Sequence, residues 1–270
     1  MSGTMHELAR ALRLLPVVAL IAASPLPAAS AESVDLELVL AIDVSRSMDF
    51  WEQELQREGY AAAFRHADVH AAIASGPLGR IAVTYVQWAG TDLQAVLVPW
   101  TVVAGPDDAL AFADKIAATS MLRERWTSIS GALEFASGLF AESGVEGLRR
   151  TIDISGDGPN NAGLPVVAAR DQVTAAGITI NGLPIMLRPG GAIGIDNLDV
   201  YYEDCVIGGP GAFIITVDDR AGFPEAIRRK LVLEIAGIAP DARLIPAALS
   251  APRIDCMIGE KRLERYFFNR

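Results

Sequence analysis

The 270-residue sequence is poor in the residues that most metal and redox chemistry requires, with two cysteines and three histidines. Two cysteines exclude a disulfide-built scaffold and a cysteine-ligated zinc site. His66 and His70 are four apart, but Ala67 and Asp68 follow His66, so this is not the H-E-x-x-H metalloprotease pattern. His6 is the third histidine and lies in the N-terminal segment, which leaves no further imidazole for a zinc ligand set. Neither G-x-x-x-x-G-K-[ST] nor G-x-S-x-G occurs, which excludes a P-loop and a nucleophile elbow. Basic clusters are missing too. With 23 Lys+Arg against 33 Asp+Glu and a net charge of −10, nucleic acid and anionic membrane surfaces are not expected partners.

The composition is otherwise globular, with 51% apolar and 21% charged residues, which rules out a disordered, collagenous or coiled-coil chain. The N-terminus has the order of features of a secretory signal. Arg10 and Arg13 precede an apolar run from Leu14 to Ala23, and Ala29-Ser30-Ala31 is an A-x-A cleavage site. That run is too short for a bilayer span, which needs roughly 20 residues. Residues 1–31 are therefore expected to be a leader cut after Ala31, with a periplasmic or secreted product. In that oxidising setting Cys205 and Cys256 are expected to form a disulfide, the alternative being two buried free thiols.

Beyond the leader, apolar strands alternate with helical patterns. Val34–Asp43 begins by alternating and becomes continuously apolar, as in a strand covered on both faces. A long helical stretch, Met48–Ala74, follows. Ile81–Trp88 and Leu93–Trp100, joined by Ala89-Gly-Thr-Asp92, read as an antiparallel hairpin. Helices are expected at Pro106–Ala118, after Thr127, at Pro165–Ala176 and at Pro224–Ala236, and further strands at Thr151–Ser155, Ile178–Leu187 and Ala212–Val217. Residues 188–210 read as an excursion, and 239–270 as an extension packed on the domain. This is the pattern of a doubly wound α/β fold: a mainly parallel sheet with one antiparallel edge strand and helices on both faces.

Ligands of such sheets bind beyond the carboxyl ends of the strands. The first strand ends in Asp43-Val-Ser45-Arg-Ser47, Thr127 opens a helix, and Asp157 follows the apolar strand 151–155 in Gly156-Asp157-Gly158. All five side chains are hard oxygen donors of the kind that magnesium takes in octahedral geometry, often with water completing the shell. Two carboxylates among five donors leave a bound cation electrophilic.

The string Asp43-x-Ser45-x-Ser47, then Thr127, then Asp157-Gly158 resembles the von Willebrand factor type A (VWA) domain with its metal-ion-dependent adhesion site (MIDAS). The resemblance covers about Val34 to Gly237. It implies a Mg²⁺ or Mn²⁺ ion held by Asp43, Ser45, Ser47, Thr127 and Asp157, and a protein partner that offers an Asp or Glu carboxylate to that ion. A bacterial exported family of this fold, labelled only as a domain of unknown function, is also similar. The similarity lies in Gln56-Arg-Glu-Gly-Tyr60, Gly79-Arg-Ile-Ala-Val83, Ser155-Gly-Asp-Gly-Pro-Asn-Asn161, Cys205–Phe213 and Ile227–Gly237.

Four other residues are weighed beside the five. Asp153 interrupts an apolar strand and, as a buried carboxylate, needs a partner; it either steadies the ligands from behind or makes a structural hydrogen bond elsewhere. Arg46, Asn160 and Asn161 flank the ligands and are candidates to read a partner, with the loops 44–50, 89–92, 121–127 and 158–164 setting specificity. The expected function is a non-catalytic, exported binding module. The alternative is a structural or assembly scaffold of the cell envelope in which the ion only rigidifies loops.

Overall fold

The computed structural model describes residues 31–190, 194–238 and 252–268. The expected leader and most of its cleavage motif lie outside these residues, as does the first part of the expected extension. The chain order is β1 (Glu32–Val34), β2 (Leu36–Asp43), α1 (Phe50–Phe64), α2 (Ala67–Ala74), β3 (Ile81–Trp88), β4 (Gln94–Val103), α3 (Pro106–Ala117) and α4 (Ile129–Leu139). It continues with β5 (Val145–Gly147), β6 (Arg150–Gly156), α5 (Val166–Ala175), β7 (Thr179–Pro184), α6 (Leu198–Tyr201), α7 (Phe223–Ala236) and α8 (Ile258–Phe268).

Five strands form the main sheet in the order β4-β3-β2-β6-β7. All pairs are parallel except β3 with β4, so β4 is the antiparallel edge expected from the short 89–92 connection. The alternating side-chain directions of a strand divide the core into two. Leu36, Leu38, Leu40 and Ile42 of β2 pack with Tyr60 and Phe64 of α1, Phe112 of α3 and Ile227 of α7. Val39 and Ala41 pack on the other face with Leu133 of α4, Val173 of α5 and Tyr202. Every residue of β2 is buried, as the apolar run predicts for a central strand.

Several boundaries differ from the sequence reading. The helix expected over 48–74 is two helices, because His66 takes an extended backbone and its Nδ1 accepts the Asp68 N–H (3.2 Å), starting α2 afresh. The first strand breaks at Asp35, whose carboxylate accepts the Leu78 and Arg80 N–H groups, and β1 pairs instead with β5 in a small separate sheet. Residues 212–217 form no strand. They run beside β7 through single bridges at Ile214 and Val217, and the side chain of Asn181 takes the Phe213 N–H (3.1 Å) in place of a ladder bond. The excursion after β7 contains α6 and a π-helical turn over Tyr202–Val206.

Two β strands fix the position of the site. Because Ile42 pairs with Ser155, the ends of β2 and β6 lie side by side. The chain leaves β2 toward β3 on one side, while β6 sits on the other. That reversal of strand order is where open α/β sheets form their ligand crevice.

Candidate functional site

Asp43 ends β2 with no solvent exposure. Its Oδ1 accepts the Ser45 N–H (2.7 Å), an Asx-type turn that swings the chain over the strand end. From there a relay of short bonds crosses the strand ends: Ser45 Oγ meets Ser47 Oγ at 2.7 Å, and Ser47 Oγ donates to Asp157 Oδ1 at 2.6 Å. Four of the five expected ligands, 110 residues apart in sequence for Ser47 and Asp157, are thus in one chain of contacts. The fifth, Thr127, is buried and lines a cavity of about 250 Å³ together with Ser47 and Asp157.

The loops are tied to one another by backbone bonds. Arg46 N–H donates to the Glu124 carbonyl (3.0 Å), and Asn161 N–H to the Thr127 carbonyl (2.8 Å). The Asn161 side chain completes the second link by accepting the Thr127 N–H (2.9 Å). Trp126, just before Thr127, sits at φ 71°, a left-handed conformation that costs a non-glycine residue energy and is held only where surrounding contacts demand it. Gly156 has a steric reason. A Cβ there would stand 2.8 Å from the Tyr202 hydroxyl and 2.9 Å from Asp43 Oδ2.

Asp43 Oδ2 and the Tyr202 hydroxyl are both buried and without a hydrogen-bond partner. Burial, and next the nearby Asp157 charge, push the Asp43 carboxyl up to about 8. Burial also raises Asp157, to about 6, against the pull of the Ser47 hydrogen bond. Two carboxylates so placed resist simultaneous ionisation unless a cation joins them. The donor set of two carboxylates and three hydroxyls, with one carboxylate oxygen left over, suits a hard divalent cation that takes oxygen ligands and retains water. Among the described residues no group of three or more His, Cys, Asp or Glu side chains has metal-holding geometry.

The remaining sequence candidates fall differently. Asp153 does not steady the strand-end ligands. It is ion-paired to Lys230 (2.5 Å) and accepts the Tyr60 hydroxyl (3.1 Å) in a buried network. Asn160 and Asn161 are committed inward rather than presented to solvent: Asn160 accepts the Ser130 N–H (3.0 Å) and donates to the Leu164 carbonyl and to Glu260 of α8 (2.7 Å). Arg46 is exposed beside the serines. Cys205 and Cys256 are bonded to each other, which ties the approach to α8 to the π-helical turn after α6. Trp126 meets Phe267 of α8 edge to face, with ring centres 5.7 Å apart.

The sequence reading missed Arg188 and Glu52. The Arg188 guanidinium meets Glu52 through Nε (3.0 Å) and Nη2 (2.6 Å), Asp49 (3.3 Å), the Ser47 carbonyl (2.5 Å) and Asp157 Oδ2 (3.4 Å). Glu52, 1% exposed, also accepts the Asp49 N–H (2.7 Å) at the start of α1. The D-x-x-E spacing of Asp49 and Glu52 is a helix-start signal that was legible. Arg188 lies in aperiodic sequence, with no signal.

The sheet order, with its one antiparallel edge strand and flanking helices, defines a VWA-type α/β fold. The chain belongs to the family described as Protein of unknown function (DUF1194), whose model matches residues 33–239. Solved structures share the fold at low identity. Proximal thread matrix protein 1 from the mussel byssus matches with a TM-score of 0.55 at 14% identity, covering 77% of this chain and 49% of that one. The same mussel protein has also been solved with a zinc-occupied MIDAS motif. The pilus adhesin SpaC from Lactobacillus rhamnosus GG gives 0.54 at 10% identity, covering 75% and 30%. A von Willebrand factor type A protein from Catenulispora acidiphila gives 0.51 at 15%, covering 75% and 43%. The chain thus spans half or less of each of these neighbours. No curated protein sequence matches it.

Proposed function

We propose that this protein is an exported binding module that uses a Mg²⁺ or Mn²⁺ ion, held by Asp43, Ser45, Ser47, Thr127 and Asp157, to take an Asp or Glu carboxylate from a protein partner. The observation that supports this most is the short-bond relay from Ser45 through Ser47 to Asp157 beside an unpartnered, buried Asp43 oxygen. A hard cation inserted among these groups would neutralise two carboxylates and retain open positions for water or a partner's oxygen. The rim supports the choice of partner. In a chain of net charge −10, the loops 44–50 and 121–127 expose three arginines, Arg46, Arg123 and Arg125, against one exposed acid, Glu124. The adhesin and matrix neighbours lend the reading the precedent of their fold.

Export is part of the proposal: residues 1–31 act as a leader cut after Ala31, the domain spans 32–238, and 239–270 form an extension. The Cys205–Cys256 bond agrees with an oxidising compartment. In this proposal the ion serves as an electrophilic bridge to the partner's carboxylate.

The test is capture from envelope extract on the immobilised protein. A carboxylate-dependent partner is retained in magnesium, eluted by chelator or by excess acetate, and not retained by Asp43→Ala. Retention indifferent to chelator and to Asp43→Ala would contradict the proposal.

A further inference from the structure

Arg188 reaches two of the expected ligands, meeting the Ser47 carbonyl and Asp157 Oδ2, so the strand-end site is already electrostatically engaged by it. Four carboxylates face this region: Asp43 from the end of β2, Asp49 and Glu52 from the start of α1, and Asp157 from the end of β6. The positive side chain among them is Arg188, from the segment after β7. Its hold is unequal. Glu52 grips it through both carboxylate oxygens, the planar geometry in which arginine binds most firmly. Glu52 is itself buried and pinned by the Asp49 N–H. Asp157, by contrast, is reached at 3.4 Å by the same Nη2 that also meets the Ser47 carbonyl. The guanidinium is thus anchored on Glu52 and leans on a ligand, Asp157, and on the backbone of another, Ser47.

From this geometry we infer that Arg188 is a resident counter-cation that sets the affinity of the strand-end site for its divalent ion. The inference rests on the ion-binding reading above. An incoming ion takes Asp157 from Arg188, and because Glu52 keeps the guanidinium nearby, the bound ion feels a fixed like charge. Affinity is held low by that charge, so occupancy tracks the external divalent concentration. In the ion-free site Arg188 offsets part of the repulsion between the Asp43 and Asp157 carboxyls by its contact with Asp157.

The experiment is calorimetric titration of Mn²⁺ into the full chain and its variants. Arg188→Gln and Arg188→Ala are expected to bind Mn²⁺ about tenfold tighter than the parent, a change of about 1.4 kcal/mol. Arg188→Lys, which keeps the charge, is expected to stay within about threefold of the parent. Addition of guanidinium ion at low millimolar concentration, below denaturing levels, is expected to weaken Mn²⁺ binding again in Arg188→Ala but not in the parent. Circular dichroism in chelator identifies any variant that has not folded, and the two neutral substitutions serve as replicates. Equal or weaker binding by both folded neutral variants, with the parent binding Mn²⁺, overturns this inference and leaves the ion-binding reading standing. Absence of Mn²⁺ heat in the parent and in every variant overturns both.

Discussion

Asp43 shows what a single buried carboxylate demands of its surroundings. One oxygen is satisfied by the Ser45 N–H, while the other has no partner and lies beside the equally unpartnered Tyr202 hydroxyl. Burial lifts the acid to about 8 in the folded chain, against an ordinary value near 3.8 in the unfolded one. Between those values the folded state holds a proton that the unfolded state has lost. Stability from this group is therefore complete below pH 4 and lost as pH rises through 8. In chelator, the urea midpoint of the parent is expected to fall from pH 5 to pH 8, and Asp43→Asn to flatten that dependence. A parent whose stability rises over this interval, or an Asp43→Asn slope equal to the parent's, would contradict the assignment. The five candidate donors stood out in sequence because Asp43 and Asp157 follow apolar strands, Ser45 and Ser47 alternate after Asp43, and Thr127 precedes a helix. Arg188 did not, since nothing periodic surrounds it, and Glu52 carried only its helix-start spacing.

At the scale of elements, the sheet was readable and its interruptions were not. Runs rich in apolar residues located β2, β3 and β6, and the short 89–92 connection set the antiparallel edge. The break at His66 depended on a histidine nitrogen acting as a helix cap, a role that serine or aspartate fills more often. Residues 212–217 have strand composition, yet the Asn181 side chain occupies a backbone position in the ladder. Asp153 was readable as a buried acid, but its partner lies 77 residues on in α7: Lys230 bonds Asp153 and Glu234 together, and Asn181 donates to Glu234 (3.0 Å). Both acids depend on one buried ammonium. Lys230→Ala is expected to cost about 3–5 kcal/mol, the range for breaking a buried pair, as read from urea denaturation at pH 7. A loss under about 1 kcal/mol would mean that the network is not ion-paired as described.

Taken as a whole molecule, the domain places a rigid two-faced core beneath three loops that are bonded to one another, and pins a terminal helix to one flank. The Glu260–Asn160 contact and the edge-to-face Trp126–Phe267 pair attach α8 to the loops that carry Thr127 and Asp157, and the Cys205–Cys256 bond ties its approach to the π-helical turn after α6. Among the described residues no helix is long and apolar enough to cross a membrane. The most direct check of the central claim is anomalous diffraction from crystals of the protein grown or soaked with manganese. The account predicts one strong peak bounded by Asp43, Ser45, Ser47, Thr127 and Asp157, with oxygen atoms at about 2.1–2.3 Å. No peak there, or manganese bound only elsewhere on the surface, would contradict it.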